Sequence, residues 1–147
     1  MQTRVKLAGG LESNVRIING LIGRREGIGK IVEDDVHPMN TIMRENFYGV
    51  PVKYVDLNSI MKVGEKIYLL KCDIEGAELQ FLENYADLLG NVEAAVFELH
   101  PKICDSKKCI GLLKGAKLLQ CDVLRQTEDF MVAYFRRQGD FSQNYLC

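Results

Sequence analysis

A mixed α/β layer built on a mostly parallel sheet, closed by an antiparallel hairpin near the carboxyl end, is what this sequence predicts. Residues 67–72 (IYLLKC) form an almost unbroken apolar run, as expected of a strand covered on both faces in a parallel sheet. The run stops at Asp73-Ile-Glu-Gly76, and Phe81, Leu82, Tyr85, Leu88 and Leu89 then recur at helical spacing. A second apolar run, residues 94–99, ends in Glu98-Leu-His-Pro101. A strand that turns through Asp-x-Glu-Gly into an amphipathic helix places carboxylates at the carboxyl edge of the sheet, where open α/β folds bind ligands.

The other elements follow in order. Residues 1–14 are polar and read as a loop or a frayed helix end. Residues 15–22 (VRIINGLI) are β-branched and apolar, a strand candidate. Residues 23–29 are turn material, and residues 30–33 a short edge strand. Residues 34–49, with Asp34, Asp35, His37 and Pro38, lack a period and read as a surface flap. Residues 50–55 alternate around Pro51, which confines them to an edge. Asp56 caps a short helix to Met61. A basic helix over residues 105–115 is followed by strands at 116–124 and 130–135. The short turn between these two predicts an antiparallel pair, with a polar tail from Arg136.

At 147 residues the chain fits one domain with a single core. Lys and Arg number 19 against 20 Asp and Glu, so there is no electrostatic case for nucleic acid or an anionic membrane as a partner. No apolar run approaches the roughly 20 residues that span a bilayer. The first ten residues lack a signal-peptide core. The expectation is a soluble, cytoplasmic protein. Cys72, Cys104, Cys109, Cys121 and Cys147 are odd in number, and two lie in strand-like runs, so they read as reduced thiols. Cys104 and Cys109 have no second pair at zinc spacing, so no metal ligand is assigned.

Side chains alternate along a strand, so Lys71, Asp73 and, if extension persists, Glu75 share one direction. Glu98 and His100 share theirs. If the two strands are neighbours, Asp73, Glu75, Glu98 and His100 converge on one mouth. Such a group can act as a general base on a hydroxyl or hold a hard divalent cation, and the need for a metal stays open. Glu75 and Glu78 also fit the first turn of a helix, where negative charge gains about 0.3–1 kcal/mol; Glu78 is read that way. Asp73 is different, because a charge ending a buried strand is costly unless used or paired. His37 reads as a solvated flap residue. Gly27-Ile-Gly-Lys30 is no phosphate loop, since Arg24 stands where the first glycine belongs and Ile31 follows the lysine.

Residues 70–78 (LKCDIEGAE), then Phe81-Leu82, then Glu98-Leu-His100, resemble the FkbM-type S-adenosylmethionine-dependent methyltransferases. Residues 55–60 (VDLNSI) are similar to the segment before that strand in the family, and residues 19–23 (NGLIG) to the end of its third strand. The resemblance covers roughly residues 15 to 135. It implies a Rossmann-like methyltransferase sheet and methyl transfer from S-adenosylmethionine to the oxygen of a small-molecule or sugar acceptor. It places Asp73 at the methyl-transfer site, touching cofactor as well as acceptor, with Glu75, Glu98 and His100 as its catalytic neighbours. Leu21 and Ile22 would lie near the adenine.

Enzymes of this fold also hold the cofactor with a glycine-rich turn after the first strand and an acid after the second. Nothing before Val15 supplies either. The sequence therefore reads as the carboxyl-terminal part of such a domain, lacking the first strands. An open sheet edge follows, to be covered by a homodimer partner or another chain. The alternative function is a non-catalytic methyltransferase-like remnant serving as an interaction or dimerisation module. A strand ending Asp-x-Glu-Gly is similar to the nucleophile strand of haloacid-dehalogenase-like phosphotransferases as well. There the second acid is usually Asp, and Asp140 lies in a tail without a preceding apolar strand.

Overall fold

The apolar runs become strands, and the computed structural model describes them within residues 16–32, 41–42, 49–62 and 64–138. In chain order the strands are β1 (Ile28–Val32), β2 (Thr41–Ile42), β3 (Val50–Lys53), β4 (Leu70–Cys72), β5 (Ala94–Leu99), β6 (Gln120–Gln126) and β7 (Met131–Arg136). The helices among the described residues are α1 (Glu78–Asn84), α2 (Ala86–Leu89) and α3 (Ser106–Gly115), and a 3-10 turn spans Leu57–Ser59.

β4, β5, β7 and β6 lie side by side in that order. β4 and β5 run parallel, with Lys71 opposite Val96 and Cys72 opposite Phe97. β7 is antiparallel to both β5 and β6. After α3 the chain lands on the far edge as β6, and the tight turn returns β7 into the gap beside β5. Thr127 Oγ1 builds that turn by accepting from the backbone N–H groups of Asp129 and Phe130. Only one of the three ladders in this sheet is parallel, so the expectation of a mostly parallel sheet does not hold among the described residues. A separate antiparallel sheet joins β2, β1 and β3, with Pro51 on the outer strand β3, where its missing N–H costs no ladder bond.

The core lies between one face of the four-stranded sheet and the helices. Phe81, Leu82, Tyr85, Leu88 and Leu89 are all buried there, the stripe the helical spacing predicts. It is carried by two helices, because the backbone breaks at Tyr85 (φ −121°). Phe81 meets Phe97 at 6.3 Å between ring centroids, and Phe97 meets Phe135 edge-on at 6.2 Å. Each such ring contributes about 1.5–3 kcal/mol through burial. Asp105 caps α3 by accepting from Lys108 N–H. Asp56 caps the 3-10 turn by accepting from Asn58 N–H.

Three expectations need correction. Residues 67–72 are not covered on both faces: among the described residues β4 is an edge of its sheet, and Tyr68 and Leu69 stand 74% and 60% exposed. The strand contracts to Leu70–Cys72, with Ile67 making a single bridge to Val92. Residues 16–20 are exposed and form no strand; only Leu21 bridges Tyr54, through hydrogen bonds to Lys53 and from Val55. A ladder needs a partner along its length, and here pairing ends after one residue. Arg136 closes β7 rather than opening a loose tail, and Arg137 donates to the carbonyls of Val92 and Leu89 at 2.8 Å each. The flap expectation, with His37, falls largely outside the described residues, as do residues 1–15 and 139–147, although Thr41 and Ile42 pair with β1.

Candidate functional site

The parallel register places Asp73 and Glu98 one residue beyond the last paired positions of β4 and β5, at the carboxyl edge. Lys71 and Asp73 share a direction, as alternation predicts, and Lys71 Nζ donates to Asp73 Oδ2 at 2.8 Å. That hydrogen bond holds Lys71 above its ordinary value. Extension does not persist to Glu75. The backbone turns there into the left-handed region (φ 50°), followed by Gly76 at φ 96°. A left-handed non-glycine residue costs roughly 1–3 kcal/mol. The turn swings the Glu75 carboxylate toward β5, where its Oε2 lies 3.4 Å from His100 Nε2. Glu98 Oε1 lies 3.8 Å from the same nitrogen. Asp73, Glu75 and His100 each offer a polar atom within 4.8 Å of the others. Asp73, Glu75, Glu98 and His100 therefore share one locality.

Glu78 opens α1 in its first turn, as the sequence reading has it, but its burial was not foreseen. It is fully buried. Its Oε1 lies 3.1 Å from His100 Nδ1 and accepts from Gly76 N–H at 3.0 Å. The signal was present in the spacing. Glu78 precedes Phe81, Leu82 and Tyr85 by three, four and seven residues, so it belongs to the buried stripe.

The imidazole is thus gripped from behind and nearly closed from solvent, its side chain 6% exposed, while Glu75 (27%), Glu98 (26%) and Asp73 (30%) remain reachable. His100 Nε2 makes no hydrogen bond. On the inner side of Glu78 sit buried thiols. Burial, with the Glu78 and Asp73 charges, pushes Cys72 well up. Cys109 is raised by its hydrogen bond to Cys104 and by burial, and Cys104, which receives that bond, is lowered to about 7. Cys121 is half-buried, and Cys147 lies outside the described residues.

Leu21 and Ile22 pack elsewhere: Leu21 is buried over Gly29 and Tyr54, and Ile22 lies half-buried against the core. A hollow of about 290 Å³, lined by residues including Asn58, Met61, Lys62, Asp87 and Leu88, shares no residue with the acidic cluster. No helix among the described residues is long and apolar enough to cross a membrane.

With this geometry in view, the comparisons with known proteins bear on one point. The chain is 33% identical over 92 residues to the hexuronic acid methyltransferase AglP of Haloferax volcanii, covering 60% of this chain and 37% of that protein. It is related to a methyltransferase. The chain spans little more than a third of that relative's length. No protein-family model matches the chain, and no solved structure matches it.

Proposed function

We propose that the chain belongs to an S-adenosylmethionine-dependent O-methyltransferase of the FkbM type, acting on the hydroxyl of a sugar or another small molecule. The observation that carries this reading is the similarity to the hexuronic acid methyltransferase. Support comes from the acids gathered at the carboxyl edge of the parallel pair β4–β5. Three partly exposed carboxylates fit a cationic ligand, and S-adenosylmethionine is a sulfonium ion. Leu21 is buried and Ile22 half-buried, away from that cluster.

When bound, the cofactor supplies an activated methyl group. The residues of this chain prepare the acceptor. Glu98, partly exposed at the carboxyl edge, takes the hydroxyl proton as general base. Asp73, held by Lys71, orients the hydroxyl beside the methyl donor. Glu75 and His100 stand beside them, and Glu78 locks the imidazole from behind. Incubation of the protein with methyl-labelled S-adenosylmethionine and a hexuronic acid or neutral hexose tests the reading. Label transferred to the sugar is expected; absence of both transfer and cofactor binding would dismiss it.

A second reading has one observation in its favour. Among the described residues β4 is an edge strand with Leu69 and Tyr68 exposed beside it, a surface on which a second copy or another chain can pair. A non-catalytic module of that kind would associate in solution yet bind no cofactor.

A further inference from the structure

His100 Nε2 is a buried ring nitrogen without a hydrogen-bond partner, and it faces two carboxylates, Glu75 Oε2 at 3.4 Å and Glu98 Oε1 at 3.8 Å. The opposite nitrogen, Nδ1, meets Glu78 Oε1, an oxygen that already accepts from Gly76 N–H. An accepting oxygen requires that Nδ1 carry the hydrogen. A buried ring nitrogen left unpaired beside two carboxylates is unfavourable unless positive charge, a second ring proton or a bound cation, lies between the groups.

Asp73, Glu75 and His100 supply donor atoms within 4.8 Å of one another. Bonds of about 2.0–2.2 Å to one ion require donors about 3.0–3.5 Å apart, so the widest donor pair must draw in by up to about 1.3–1.8 Å. Lys71 occupies one oxygen of Asp73, and the second remains to bind. The buried Glu78–His100 pair has the form of a carboxylate that orients a metal-bound histidine.

We propose that Asp73, Glu75 and His100 Nε2 form a binding site for a first-row divalent cation, with Glu78 orienting the imidazole. One nitrogen and two carboxylate donors favour a transition ion such as Mn²⁺ over Mg²⁺. The role of the ion rests on the methyl-transfer reading: it would bind the acceptor hydroxyl and favour loss of its proton to Glu98, which stands outside the donor set. The site itself does not rest on that reading.

Calorimetric titration of the metal-free protein with Mn²⁺, without methyl donor or acceptor, tests it. One ion per chain is expected, with Kd below about 0.1 mM and weaker binding of Mg²⁺. Asp73→Asn and Glu75→Gln, both at partly exposed positions, should each weaken Mn²⁺ binding about tenfold or more, and Glu78→Gln about 10–100-fold. Glu93→Gln, an acid paired with Lys66, should leave it unchanged. Thermal melting of each variant establishes that it is folded. No Mn²⁺ binding, affinity indifferent to Asp73→Asn and Glu75→Gln, or equal affinity for Mg²⁺ would overturn the proposal. Because S-adenosylmethionine takes no part in the titration, Mn²⁺ binding without methyl transfer would sink only the functional reading.

Discussion

Glu78 Oε1 lies 3.1 Å from His100 Nδ1, joining the first residue of α1 to the residue after β5 inside the protein. A buried ionic or charge-assisted pair adds little net stability, but losing one partner leaves the other stranded. Glu78→Ala should therefore cost about 3–5 kcal/mol. Glu78→Gln, which can still accept from Nδ1–H, should cost less, about 1–3 kcal/mol. Urea unfolding of the two variants reads this, and equal small losses would contradict the buried pairing.

Gly76 carries the turn between β4 and α1 at φ 96°, and a Cβ there would run into the Ile103 side chain. Gly76→Ala should lose about 1–3 kcal/mol from the backbone conformation, with a further steric loss. Combining it with Ile103→Ala should recover the steric part alone. Denaturant midpoints of the single and double variants separate the two contributions; an unchanged midpoint for Gly76→Ala would exclude the turn as described.

Tyr85 ties the amino-terminal segment to the helices. Its hydroxyl lies 3.2 Å from the carbonyls of Arg24 and Val55 and 3.4 Å from Leu57 N. Tyr85→Phe should cost about 1 kcal/mol, with faster amide exchange at Leu57. Exchange measured residue by residue checks this, and unaltered protection at Leu57 would argue against the tie.

Burial first, then the charges of Glu78 and Asp73, hold the Cys72 thiol protonated beyond its ordinary 9.0. Above that pH the unfolded chain releases a proton that the folded chain keeps. The folded state is then disfavoured, so stability present below about pH 9 is lost as pH rises. The melting temperature should fall between about pH 8 and pH 10.5, and less steeply in Cys72→Ala. Identical slopes for the two proteins would contradict the burial of an un-ionised thiol.

The order of elements from β4 to β7 was legible because each carries its own signal. Apolar runs gave β4 and β5, the 3.6-residue stripe gave α1 and α2, and Asp105 marked the start of α3. The meeting of Asp73, Glu75, Glu98 and His100 was legible from strand alternation together with adjacency of β4 and β5. Two features were not. The turn at Glu75 is a left-handed backbone that no periodicity announces. Glu78 was read by charge when its place in the Phe81–Tyr85 stripe decided its burial. The exposure of Tyr68 and Leu69 was hidden for a different reason: an edge strand and a central one can share the same apolar composition.

The most direct test of the account is the rate of methyl transfer from labelled S-adenosylmethionine by the unmodified protein and by Asp73→Asn, a change at a partly exposed carboxylate. A loss of about 100-fold or more in the variant, with an unchanged melting temperature, is the predicted result. Equal rates in the two proteins would contradict the assignment of the acidic cluster as the site of reaction.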